Sequence, residues 1–252
     1  MTAPHLHLDA LNKSGQDIVN GIFAAGAVLT LADLERRFLV SRTVAREIMR
    51  VLESLGMVRS RRRVGITIRP RQEWNALDPL LVKWRLNSPE RAETMLELME
   101  LRAALQPAAA SLAARYATPE QRVRLLELAD RVGFLSVRPD RQSEFVDAVV
   151  DFHSLLLRSS ANELFATVAD LIRLAERPAD SHGHLPADAR SIEHYRRIAI
   201  GIASGDDDAA RRASLEQVAR VLAGARRSLQ VTRPTLEERP GVEGLVGVVR
   251  PG

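Results

Sequence analysis

The chain has 252 residues, 46% of them hydrophobic, with no cysteine and a formal net charge of +4 from 36 basic and 32 acidic side chains. That composition excludes wholesale disorder, a disulfide scaffold, a cysteine nucleophile and a thiolate metal site. No apolar run is long enough to span a bilayer, and residues 1–13 lack the apolar stretch of a signal peptide, so the expected setting is soluble and cytoplasmic, with no membrane partner.

Aromatic residues are only 4%, and Ala, Leu, Arg and Glu dominate, which points to a mainly α chain. The charge is unevenly placed. Residues 1–70 hold eleven Lys and Arg against six Asp and Glu, or +5, and the remainder carries −1. A basic module joined to a near-neutral helical body implies a polyanion partner for the first part.

Residues 16–25 read as a helix, with Ile18, Ile22 and Phe23 near one face. Thr30 is a candidate N-cap for a second helix over 31–38. In the run Val40-Ser41-Arg42-Thr43-Val44-Ala45-Arg46-Glu47, Ser41 can cap a third helix that reaches about Leu55. Its apolar stripe is Val44, Ile48, Val51, Leu52 and Leu55, and its first turns present Arg42, Thr43 and Arg46. Gly56 stands where a helix-ending glycine is expected. Met57-Val58-Arg59 and Ile66-Thr67-Ile68 read as two short strands around the tip Ser60-Arg61-Arg62-Arg63-Val64-Gly65.

Three helices followed by a basic hairpin make a winged helix-turn-helix. Its recognition helix offers N-terminal side chains to the major groove. Arginine can bond guanine edges bidentately, and threonine can touch a thymine methyl or a phosphate. The hairpin arginines can reach phosphates or the minor groove, and Gly65 permits a close approach or a positive φ. Ser41, Arg42, Thr43, Arg46, Arg62, Arg63 and Gly65 are therefore expected at double-stranded DNA.

Ile18-x-x-Gly21, Gly26-x-x-Leu29, Leu34, the run from Val40 to Glu47, and Leu52-Glu53-x-Leu55-Gly56-Met57-Val58 together resemble the GntR family of bacterial transcription regulators. The resemblance implies DNA contacts at Ser41, Arg42, Thr43, Arg46 and Gly65. Three positions depart from the family pattern. Ala25-Gly26 replaces its usual Pro-Gly turn, Leu31 its frequent glutamate, and Arg63 the first of two wing glycines.

Residues 69–87 hold Pro70, Pro79 and both tryptophans and read as a connector with a short helix over 79–86. The string Trp74-Asn75-x-Leu77-Asp78-Pro79 with Trp84 looks like the connector of sugar-acid regulators of that family. Six helices are then expected, near 89–117, 119–136, 141–158, 161–177, 188–204 and 206–230. The implied organisation is a DNA-binding domain over 1–70, a linker over 71–88, and a helical effector-binding and dimerisation domain over 89–230. Residues 231–252, rich in Pro and Gly, read as a disordered tail.

Four polar residues fall on apolar stripes of the helical body. Arg102 lies among Met95, Leu98, Leu105, Ala109 and Leu112. His153 lies among Val146, Val149, Val150, Leu156 and Leu157. His194 lies beside Ile198, and Gln217 among Ala210, Ser214, Val218 and Val221. Burying an arginine without a partner is expensive, so a cation with imidazoles inside a bundle implies a cavity for an anion or a metal. A lone histidine on an apolar face is more often a satisfied core residue than a ligand, Arg102 could pair with a core carboxylate or reach out at the helix edge, and Gln217 alone says nothing; four such residues on four helices point to the cavity. His182-Gly183-His184, in an expected loop, could take an adventitious metal.

Glu100-Leu101-Arg102-x-x-Leu105, Leu112-Ala113-Ala114, Phe152-His153-x-x-Leu156, Ser160-x-Asn162-x-Leu164 and Glu193-His194 resemble the FCD subfamily of GntR regulators. That resemblance implies a divalent metal held by one aspartate and three histidines. Val149 and Gln217 replace two of those ligands and leave only His153 and His194. Asp147 and Asp151 cannot substitute, being about 120° and 160° from His153 around the helix. The metal site is therefore expected to be weak or vestigial, with a small carboxylate effector bound through Arg102 and hydrogen-bonded by His153, His194 and Gln217.

These features together imply a homodimeric transcriptional repressor released from its operator by a small organic acid such as a sugar acid. Two other classes fit part of the pattern: a helical-bundle metal-dependent enzyme with a basic appendage, and an effector-less architectural DNA binder. The chain has no H-E-x-x-H, G-x-S-x-G or P-loop motif, which weighs against the enzyme.

Overall fold

The first helix, α1 (Ala3–Val19), begins earlier and ends sooner than the helix expected over 16–25. Its end is set by Gly21. The Gly21 N–H donates to the Ile18 carbonyl and the Ile22 N–H to the Asp17 carbonyl, the paired bonds of a Schellman ending. Ile22 thus leaves the helix and is exposed, while Phe23 packs under the Arg37 guanidinium, 5.0 Å from the ring centroid. The structure, a computed structural model, describes residues 3–176 and 189–229. The expected tail over 231–252 and the His182-Gly183-His184 loop lie outside the described residues.

A two-residue strand, β1 (Val28–Leu29), precedes α2 (Leu31–Phe38), which Thr30 and Asp33 cap reciprocally. Next come α3 (Arg42–Ser54), β2 (Val58–Arg61) and β3 (Gly65–Ile68). The strands form an antiparallel sheet in the order β1-β3-β2, with Val28 opposite Thr67 and Val58 opposite Ile68. Ile18, Leu34, Ala45, Ile48, Leu52, Met57, Ile66 and Ile68 close one core between the helices and the sheet. This is the expected winged helix-turn-helix.

The connector helix α4 (Pro79–Leu86) starts at an Asp78 cap with proline in its first turn. Both its faces are buried. Leu81 and Trp84 join the N-terminal core, while Val82 and Leu86 pack with Met95, Leu98 and Leu171 of the helical body. Trp84 Nε1 donates to Asn12 Oδ1 at 3.0 Å, and Gln16 Nε2 donates to the Trp84 carbonyl at 3.2 Å, so α4 is fastened to α1.

The body consists of α5 (Arg91–Tyr116), α6 (Pro119–Leu135), α7 (Gln142–Arg158), α8 (Glu163–Glu176), α9 (Ala189–Ser204) and α10 (Asp207–Leu229). α10 lies along α5 and α9, α6 bridges α7 and α9, and α7 packs on α8. Ala109, Ala113, Leu125, Val132, Phe152, Leu156, Ile198 and Ile202 are among its core. One detail differs from expectation. Leu105 and Leu112 are only half-buried, and the face of α5 turned inward carries Arg102, Gln106, Ala109 and Ala113. α5 is apolar on several sides, so the leucine spacing alone does not say which side faces in. Among the described residues no helix is long and apolar enough to cross a membrane.

Candidate functional site

Two polar features stand apart in the fold: one on the surface of the winged helix, one inside the helical body. On the surface, the structure sorts the arginines. Arg36 is held by Asp33 at 2.6 Å, Arg37 by Asp17 at 2.7 Å and Arg50 by Glu47 at 2.5 Å, while Arg69 is bound by Glu73. Arg59 lies 3.9 Å from the same glutamate. Arg42, Arg46, Arg61, Arg62 and Arg63 are exposed and form no ion pair among the described residues. These unpaired cations lie at the start of α3 and at the hairpin tip.

Ser41 Oγ accepts from the Val44 N–H at 3.4 Å, so its hydroxyl serves as the helix cap, and Arg42, Thr43 and Arg46 project from the first turns beyond it. The start of α3 also presents free backbone N–H groups, which favour an anion such as a phosphate. Glu53 Oε1 accepts from the Ser60 N–H at 2.8 Å, tying the hairpin to the last turn of α3. Gly65 has φ 115, and a Cβ there would sit 2.7 Å from the Leu29 carbonyl oxygen. Its lack of a side chain is thus required by β1, a partner that sequence reasoning missed.

Inside the body, Arg102 is 7% exposed. Its Nε donates to Gln106 Oε1 at 2.7 Å, and a terminal N–H lies 2.6 Å from His153 Nε2. The same His153 nitrogen is 3.1 Å from the Tyr195 hydroxyl. Gln106 Nε2 reaches Gln217 Oε1 at 2.8 Å and Ser214 Oγ at 3.1 Å. Burial, and then the Arg102 charge, hold the His153 pKa well below its ordinary value. Buried Gln217 Nε2 finds no hydrogen-bond partner among the described residues. Four helices, α5, α7, α9 and α10, supply this network. Gln106 and Tyr195 were not anticipated. The available signal was position: Gln106 lies one turn beyond Arg102 on the same face.

His194 is placed differently. It makes no hydrogen bond to Arg102, His153 or Gln217; its Nδ1 lies 3.6 Å from Glu216 Oε2 and has no hydrogen bond among the described residues. It lines a cleft of about 420 Å³ with Glu193, Glu216 and Arg220. Burial and then Arg197 push its pKa down, with Glu216 opposing.

The side chains present do not fit the divalent metal that the FCD resemblance implies. Both His153 ring nitrogens lie within 3.3 Å of the Arg102 guanidinium, Gln217 Oε1 is taken by Gln106, and residue 149 is a valine. Asp151 points to Arg173, 3.8 Å away. Among the described residues no three His, Cys, Asp or Glu gather to hold a metal.

Comparison with known proteins matches residues 15–68 to the bacterial regulatory proteins of the gntR family and residues 97–220 to the FCD domain. An uncharacterized HTH-type transcriptional regulator of Escherichia coli K12, YieP, is 30% identical over 160 residues, covering 63% of this chain and 69% of that protein. The galactonate operon transcriptional repressor of the same organism is 25% identical over 209 residues, 81% of this chain and 90% of that one. The solved structure of Lar, described as controlling expression of the Listeria monocytogenes agr system, shares the fold. Its TM-score is 0.59 at 18% identity, covering 90% of this chain and 98% of that one.

Proposed function

The chain belongs to the GntR family of bacterial regulatory proteins, carries an FCD domain, and is a DNA-binding transcription regulator rather than an enzyme; from that premise we propose that it is a repressor which leaves its operator when a small organic acid binds the helical body. The observation that carries this reading is the pairing of two features in one molecule. Unpaired arginines crown α3 and the hairpin, and a buried guanidinium sits in a hydrogen-bonded network at the centre of the bundle.

Residues 1–70 would do the DNA binding, 71–88 the linking, and 89–230 the sensing and pairing. Arg42, Thr43 and Arg46 read base edges in the major groove, Ser41 holds the helix end that meets a phosphate, and Arg62 and Arg63 engage the duplex from the wing. In the body, Arg102 receives the carboxylate in a charge-assisted bond. Gln217, with a free amide N–H, and His153 meet the hydroxyls, while His194 borders the cleft by which the acid arrives. The likeness to a protein named for galactonate supports a sugar acid as the ligand class.

The working unit is a homodimer acting on cytoplasmic DNA. One recognition helix reads too few bases, so two half-sites are needed, about 10 bp apart or a multiple of that. The outward face of α5 supports such pairing. Leu101, Ala104, Leu105, Ala108, Leu112 and Tyr116 follow one another at helical spacing and are half-buried or exposed in the single chain. The α4 helix, buried on both faces, carries a shift of α5 to the winged helix.

The test has two stages. Duplexes are selected from a random library with the full chain, and D-galactonate and other aldonic and uronic acids are then titrated against the selected duplex by fluorescence anisotropy. We expect one acid to weaken binding about tenfold or more, a coupling within the usual range. An effector-less architectural protein would hold its duplex unchanged against every acid.

A further inference from the structure

Arg63 stands at the apex of the β2–β3 hairpin with φ 67, in the left-handed region that glycine occupies freely and a side chain enters only under strain. The Val64 N–H closes this turn on the Arg61 carbonyl at 3.2 Å. Arg61, Arg62 and Arg63 are all exposed and have no acidic partner among the described residues, whereas Glu73 holds Arg69 and approaches Arg59 at the hairpin base. Three like charges on one tight turn repel each other, and nothing in the described protein relieves them. The turn is strained and charged, and the charge repulsion falls when a polyanion is present.

The hairpin cannot swing freely. Arg61 pairs with Gly65 and Val58 with Ile68, Gly65 rests on the Leu29 carbonyl, and Glu53 joins Ser60 to α3. The tip is thereby held at a fixed offset from α3, and with α3 in a major groove a wing so fixed can reach the neighbouring minor groove. That groove is narrowest, and its potential most negative, in A·T-rich DNA, where an inserted arginine reads width rather than base edges. Guanidinium suits this role better than ammonium because it sheds water more readily.

We propose that the wing tip, with Arg63 at its apex, is a specificity element of its own. It selects operators whose flanks are A·T-rich with a narrow minor groove, about half a helical turn, or ~5 bp, outside the bases met by α3. This rests on the DNA-binding reading above. It adds a preference for flanking sequence to the contacts a basic wing makes with phosphates or the minor groove.

The test uses the full chain and the core sequence enriched from a random duplex library. That core is synthesised with flanks of A·T, G·C or inosine·cytosine pairs. Inosine·cytosine lacks the guanine 2-amino group, so its minor-groove face matches A·T while its major-groove face matches G·C. The wild type should bind A·T and inosine·cytosine flanks about tenfold more tightly than G·C flanks. Arg63→Gly, a change the backbone accommodates without strain, should shrink that ratio below about twofold while the core preference persists. The inference is overturned if Arg63→Gly weakens all three duplexes alike, or if the wild type treats inosine·cytosine flanks as it treats G·C. Failure to enrich any core would instead remove the DNA-binding reading itself; an enriched core with indifferent flanks removes only the wing proposal.

Discussion

The Arg102 guanidinium approaches His153 Nε2 to 2.6 Å in the interior of the helical body. Guanidinium can only donate, and its nitrogen also lies 3.3 Å from Nδ1, so the ring beside it is neutral and offers it a lone pair. A cation donor and an uncharged imidazole are thereby fixed side by side, a setting that accepts a carboxylate without any change of protonation. Arg102→Ala leaves the Gln106 oxygen and the His153 nitrogen with a lost donor, which costs about 1–3 kcal/mol of stability. Urea unfolding followed by circular dichroism should show that loss. The rise in melting temperature produced by the releasing acid should vanish in the variant.

The depressed pKa of His153 carries a sign. The folded state keeps the ring neutral, while the unfolded chain takes up a proton below the ordinary histidine value of 6.5. The unfolded state binds more protons in that window, so stability falls as the pH drops below about 6.5, by up to about 1.4 kcal/mol per pH unit for this one site. His194 is shifted the same way and adds to the slope. Melting curves between pH 7.5 and 5.5 should show the decline, and His153→Gln should flatten it. A slope equal in both proteins would assign the pH dependence elsewhere.

Some of this architecture was legible and some was not, for identifiable reasons. Ser41 before an apolar stripe marks α3, and a glycine after that stripe marks its end. The two-residue β1 offers no alternation to read. The first turns of α1 have no helical stripe either; Ala10 and Leu11, farther along, are buried in the core that Trp84 of α4 joins. In the site, Arg102 and His153 announce themselves as charged or titratable groups on apolar faces, whereas Gln106, uncharged, does not. His194 was expected beside them, but its register on α9 turns it to Glu216, while the next residue, Tyr195, faces His153.

Gly15 is one contact between the winged helix and α4. A Cβ built there would lie 2.3 Å from the Trp84 ring. Alanine in place of a helical glycine ordinarily stabilises by about 0.5–1 kcal/mol. Here Gly15→Ala should instead destabilise by about 1–3 kcal/mol, because the ring must leave its seat. Since α4 is the link to the body, the variant should also lose most of its response to the acid in the anisotropy titration. A more stable variant with full response would show that α4 does not couple the domains.

Leu39 offers the opposite case. It occupies the left-handed position that ends α2, with φ 53, and is 84% exposed. Little burial is lost if it changes, and asparagine tolerates that backbone far better. Leu39→Asn should stabilise the protein by about 0.5–1 kcal/mol, read as a higher melting temperature by calorimetry. A lower melting temperature would mean that the leucine packs on something that repays its strain.

The most direct test of the account is the ratio of affinities for the selected operator and for a scrambled duplex, measured by anisotropy at fixed salt for the wild type and Arg46→Ala. The wild type should prefer its operator by about a thousandfold or more, and the variant should lose about ten- to a hundredfold of that preference while its melting curve stays unchanged. If Arg46→Ala discriminates as well as the wild type, α3 does not read the operator in the way its exposed, unpaired arginines imply.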